Sequence, residues 1–115
     1  AKYILGDPMA PWFGGSASLS SSFIKKHPEV AKKFIAAYGK GVQYVRTQGV
    51  EARQYLKGYT AIEGALTGEV PLAAYTMYNE FTPADVAHFQ KFFDLFSEKG
   101  IFSKRLMVES MLYKG

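Results

Sequence analysis

The sequence predicts an α-rich α/β fold of about five helices with one or two short strands. Three observations carry that prediction. Apolar residues recur every three or four positions over Val30–Val45 and again over Val86–Phe96. Helix-boundary residues punctuate those stretches, namely His27-Pro28, Gly49, Gly58, Gly68, Thr82-Pro83 and Gly100. Strand character is confined to Lys2–Leu5 and to the alternation of Ala17, Leu19 and Ser21 within residues 16–22.

In chain order, Lys2–Leu5 is a strand candidate ended by Gly6-Asp7-Pro8. The stretch PMAPWFGGSASLSSSF, residues 8–23, follows as a loop containing the second strand candidate. His27 at the N-cap position, Pro28 at N1 and Glu29 in the first turn open a long helix that stops near Gly49. Its expected inner stripe is Val30, Phe34, Ala37/Tyr38, Gly41/Val42 and Val45, and Gly39 and Gly41 imply close backbone packing. A shorter helix is expected over Val50–Lys57. A brief third one starts from the capping-box spacing Thr60-Ala61-Ile62-Glu63 and ends near Gly68. Pro71 permits a short helix through Leu72, Ala73 and Ala74. Thr82-Pro83-Ala84-Asp85 opens a strong helix with Val86, Phe89, Phe93 and Phe96 along one face, closed by Gly100. Ser103 is the expected cap of a last short helix reaching Leu112.

Composition bounds the function. The 115 residues are 48% hydrophobic and 16% aromatic, a balance that excludes disorder as the default. There is no cysteine, so thiolate catalysis and Cys-based metal sites are excluded. A net charge of +4 and a pI near 9.3 favour anionic partners only weakly. No apolar run approaches the length of a membrane span. The opening AKYIL starts abruptly with strand character, and the expectation is a processed or truncated product.

Each chemical motif has a plainer rival. Lysines 25, 26, 32, 33 and 40 cluster opposite the Phe34–Val45 stripe, either as a basic stripe for an anionic partner or as a solvated face. The arginines are dispersed and no aromatic interleaves, which disfavours nucleic acid. Asp85 and His88 share a helix side as an acid–base pair or, more simply, as a dipole-favoured carboxylate beside a boundary histidine. The two histidines are far apart and form no metal-ligand spacing. Gly14-Gly15 fits neither a P-loop nor a dinucleotide fingerprint. It suits a plain turn or a bend where backbone approaches a ligand. The Phe stripe reads as core, and would drive self-association if left bare.

Further residues carry a resemblance. Ser21-Ser22-Phe23-Ile24-Lys25-Lys26-His27-Pro28-Glu29-Val30 runs into Phe34-Ile35-Ala36-Ala37-Tyr38, then Val42-Gln43-Tyr44-Val45 and Glu51-Ala52. Tyr78-Asn79-Glu80-Phe81 and the helix from Asp85 to Gly100-Ile101 come later. This order resembles the C-terminal part of ABC-transporter substrate-binding proteins of the nitrate, sulfonate and taurine group, which are related to thiamine-pyrimidine-synthase-like proteins. Gln48-Gly49-Val50 departs from it, standing where that family often has Asn-Pro.

The resemblance implies the C-terminal fragment of a type II periplasmic-binding-protein fold, whose full members have roughly 300 residues in two lobes. Residues 1–16 would then be a second-lobe strand and the crossing between lobes, and 17–115 the C-terminal helical part of the first lobe. Gly14 and Gly15 would be the hinge, with Trp12, Phe13 and Ser16 beside the ligand cleft. The implied function is the non-enzymatic solute-binding component of an import system, periplasmic or otherwise extracytoplasmic at the membrane. Its partners would be an anionic or heteroaromatic solute and a permease, with no cofactor, no metal and no nucleic acid. Most of the ligand site would lie outside this chain. The rivals are a pyrimidine-synthase-like enzyme on the same scaffold and a stand-alone helical interaction module.

Overall fold

The computed structural model describes residues 15–72 and 75–113. Among these the protein is mostly helical, with about five helices and no strand. It divides into two compact units. Of the described residues, one takes in those within Leu19–Thr76, and the second takes in 77–113 together with 15–18.

The first unit begins with α1, Ser21–Lys26, followed by α2, Pro28–Thr47. The second strand candidate is therefore corrected: Ala17–Ser20 is irregular and Ser21 is already helical. Ser20 is the physical reason, because its hydroxyl accepts from the Phe23 amide at 3.2 Å and caps α1. The strand candidate at Lys2–Leu5 lies outside the described residues. Pro28 forces the break between α1 and α2, since the residue before a proline is driven out of helical geometry, and His27 sits at φ −134°, ψ 58°. His27 holds the N-cap position of α2 but makes no capping bond; its ring lies 5.3 Å from that of Phe23.

Beyond Gln48 the chain makes one α-turn, α3 at Gly49–Ala52, and then tightens into a 3₁₀ turn over Arg53–Leu56. The expected Val50–Lys57 helix is thus one turn of α and one of 3₁₀. The Arg53 guanidinium explains the change: its Nη1 takes the Gly49 carbonyl at 2.9 Å, and its Nε reaches the Val70 carbonyl at 2.9 Å. The next helix is a 3₁₀ segment at Gly64–Glu69, later than the Thr60 spacing predicts. Thr60 instead donates its hydroxyl to the Leu56 carbonyl at 2.7 Å and accepts from the Ile62 amide. Pro71 and Leu72 are irregular, so no helix starts there. Ala73 and Ala74 lie outside the described residues.

The second unit is built on α4, Pro83–Glu98. Thr82 and Asp85 form a full capping box: the Thr82 hydroxyl accepts the Asp85 amide at 3.1 Å, and the Asp85 carboxylate accepts the Thr82 amide at 2.9 Å. At the other end Gly100, at φ +73°, lets its own amide reach the Ser97 carbonyl and that of Ile101 reach Phe96. The chain then returns along α4. Phe102 inserts its ring against Phe93 and Phe96 at centroid distances of 5.3 and 5.4 Å, in edge-on geometry. Residues 104–108 lie along the helix without a strand partner, and helix side chains supply the missing partners. Ser97 donates to the Lys104 carbonyl; Gln90 donates to the Leu106 carbonyl and accepts the Val108 amide, both at 2.9 Å. Arg105 forks onto Asp94 at 2.8 and 3.1 Å. This clamp holds 104–107 uncoiled. The last helix is consequently a single 3₁₀ turn at Val108–Met111, and Ser103 caps nothing.

Among the described residues the buried apolar side chains are few: Ala31 and Val42 in the first unit, Val108 in the second. Two outcomes follow. Gln90→Ala strands the Val108 amide and the Leu106 carbonyl, and is expected to cost about 2 kcal/mol in urea denaturation followed by circular dichroism. The Thr82 bonds hold the Asp85 carboxyl below its usual range, and the Arg105 and Gln90 bonds do the same for Asp94. Carboxyls depressed in the folded state stabilise it above the unfolded value, about 4, and lose that contribution as pH falls. Helical signal is therefore expected to decline below roughly pH 4, with a shallower decline in Asp94→Asn.

Candidate functional site

Of the residues expected at a hinge or cleft, Trp12, Phe13 and Gly14 lie outside the described residues. Gly15 is exposed, with open space around the position of a side chain. Ser16 is exposed too, its hydroxyl 3.4 Å from that of Ser18. Asp85 spends its carboxylate on Thr82, in the capping role. Among the described residues no three His, Asp or Glu side chains come together as a metal site would need.

The notable surface is on α2. At about 100° per residue, its apolar side chains sweep an arc of roughly 200°, wider than the stripe a single contact layer needs. One half of the arc is turned inward: Ala31, Ile35, Gly39, Val42 and Val45 are buried or half-buried. The expected inner stripe is thus displaced by about 80° around the helix. Val30, Phe34 and Tyr38 belong to the other half and stay 51%, 43% and 41% exposed. Phe34 and Tyr38 stack on each other at 6.2 Å.

Where the two halves meet, Tyr38, Gly41, Val42 and Val45 line an open apolar notch of about 240 Å³, closed on one side by Tyr75. Tyr75 is held in left-handed backbone geometry, φ +52°, which a non-glycine residue adopts only under constraint. Arg46 donates to the Tyr75 carbonyl. Gly41 forms part of the lining without the close packing its sequence position implied: a side chain there would meet nothing within 4 Å.

The charge on the outer edge of this face is mixed. Lys33 and Lys40 sit on the edge of the exposed stripe away from the buried half, about 10 Å apart along the axis. Glu29 lies one turn before Lys33 on that same edge and pairs with Lys32 at 3.3 Å. Sequence reasoning placed Tyr38, Gly41, Val42 and Val45 in the core and missed Tyr75. No local signal marks a tyrosine for positive φ.

No family model matches the chain, and neither a curated protein nor a solved structure matches it. Among the described residues no helix is long and apolar enough to cross a membrane. Because Gly41 weakens α2 and nothing fills its surroundings, Gly41→Ala is expected to stabilise the protein by about 1 kcal/mol. Thermal denaturation measures it, and a lowered melting temperature would mean that the backbone there is tightly packed.

Proposed function

We propose that this chain is the C-terminal helical part of the solute-binding component of an ABC import system, working outside the cytoplasmic membrane. The observation that carries the reading is the exposed Val30-Phe34-Tyr38 half of α2, an apolar surface of the kind that marks contact with another structure. In the proposal, another part of the same protein covers it. The support for a solute-binding protein in particular is the ordered motif from Phe23-Ile24 through Pro28-Glu29 into α2 and on to α4. On this reading Gly14-Gly15 is the hinge between lobes, and Trp12, Phe13 and Ser16 approach the solute as the lobes close. Closure follows from the better contacts that the solute makes in the closed state. The site in this chain is incomplete, and the chemistry is binding and release to a permease.

A second reading, a stand-alone helical interaction module, is favoured by Lys33 and Lys40 edging the same face. Calorimetric titration separates the two. Residues 1–115 are expected to give no heat with a panel of oxyanions, sulfonates and pyrimidines, while the product of the complete reading frame takes up one solute per chain. Stoichiometric solute binding by residues 1–115 alone, or a reading frame that encodes nothing more, overturns the proposal.

A further inference from the structure

We infer that the extended main chain at residues 105–107 is an open strand edge, and that Lys2–Leu5 of the same chain adds to it as a β-strand. The pairing is a property of residues 1–115 and stands apart from the solute reading. It differs from that reading in setting Lys2–Leu5 beside α4 instead of in a second lobe. The edge follows from the alternation of an extended chain, in which successive residues turn their main-chain groups to opposite sides. The Lys104 and Leu106 carbonyls and the Val108 amide all face α4, where Ser97 and Gln90 take them. Arg105 and Met107 are therefore turned the other way, and both are exposed, Met107 to 47%. Among the described residues nothing bonds to the Arg105 amide, the Arg105 carbonyl or the Met107 amide. The Met107 carbonyl is already used, by the amide and hydroxyl of Ser110 at 3.2 and 2.7 Å.

The open groups decide what this edge accepts. Two donors and an acceptor at a two-residue spacing of about 7 Å match another extended main chain. A helix cannot offer them, because its own backbone is internally paired. A second copy of the same segment does not match either. A two-fold axis at Leu106 would aim each Arg105 amide at a Met107 carbonyl whose lone pairs Ser110 already occupies. An axis at Arg105 would leave both Met107 amides without acceptors, since the chain bends over 101–104. Lys2–Leu5 has the required composition, with Tyr3 and Ile4 favouring a strand and no proline before the break at Gly6-Asp7-Pro8. Residues 15–18 belong to the same unit as the edge, so the tether to Lys2–Leu5 starts there. Residues 6–14 span up to about 30 Å, and a tether this short gives the segment a high effective concentration at the edge. In either strand direction Lys2–Leu5 supplies the two carbonyls and the amide that Arg105 and Met107 lack.

Nuclear magnetic resonance on the full chain, residues 1–115, tests the pairing. Cross-strand contacts are expected between main-chain protons of Lys2–Leu5 and those of Arg105–Met107, together with slow amide exchange at Arg105 and Met107. The variant Tyr3→Pro/Ile4→Pro puts a proline in both phases of the strand alternation, so the amide that faces the edge is removed whichever phase it has. It is expected to speed exchange of the Arg105 and Met107 amides by at least about tenfold. The Val108 amide, which Gln90 holds in either case, is expected to keep its rate, and this separates loss of the strand from loss of the fold. Absence of the cross-strand contacts, contacts from a different segment, or exchange at Arg105 and Met107 that the prolines leave unchanged overturns the inference. So does protection that grows with protein concentration, which would assign the edge to a second copy. The solute titration reads a different property, so failure here leaves that outcome intact.

Discussion

Side chains on helices satisfy the backbone of segments that have no strand to pair with, and both units depend on that substitution. A buried or half-buried irregular segment must find partners for its amides and carbonyls. Gln90 gives the returning chain a donor and an acceptor in the spacing a neighbouring strand would offer, at Leu106 and Val108. Arg53 spans the Gly49 and Val70 carbonyls, and Arg46 holds that of Tyr75. Each tie fixes a loop on a helix, and the loop in turn shelters a small apolar cluster. Val108 is buried to 1% exposure beside the Gln90 clamp, whereas the phenylalanines of α4 remain half-buried.

That economy limits how much surface the first unit covers. Its irregular segments reach only one side of α2, where Tyr75 closes the notch, and the other apolar side remains in solvent. The two halves differ in kind. The inner half is made of small and branched residues that admit close approach, while the outer half adds the aromatic pair Phe34 and Tyr38 to Val30, with charged residues beyond it. Aromatic groups rimmed by charge are the composition of contact surfaces more than of domain interiors. The proposed function grows from this asymmetry.

Much of the helical layout was legible from local chemistry. Pro28 and Thr82-Pro83 start α2 and α4 where the sequence places them, and Gly58 and Gly100 adopt the positive φ that ends their elements. What was not legible depended on distant residues. Thr60 has the spacing of a cap, but its hydroxyl is taken by Leu56, an alternative that the motif alone cannot rank. Ser20 turns an alternating serine run into a helix start, because no partnering strand exists among the described residues. The orientation of α2 was misread by about 80° since its apolar arc is wide enough to accept more than one inward direction. Tyr75 was invisible as a site residue because Arg46, which reaches its carbonyl, lies 29 positions earlier.

The Gln90 clamp has a consequence for how this protein can diverge. Phenylalanines in a loose aromatic cluster are exchangeable among leucine, methionine and one another, since volume is conserved. An amide that must give and receive at two fixed main-chain atoms has far fewer replacements. Selection would therefore let the greasy face of α4 drift while holding position 90 nearly invariant, so that homologues would share one polar letter where their hydrophobic letters had scattered.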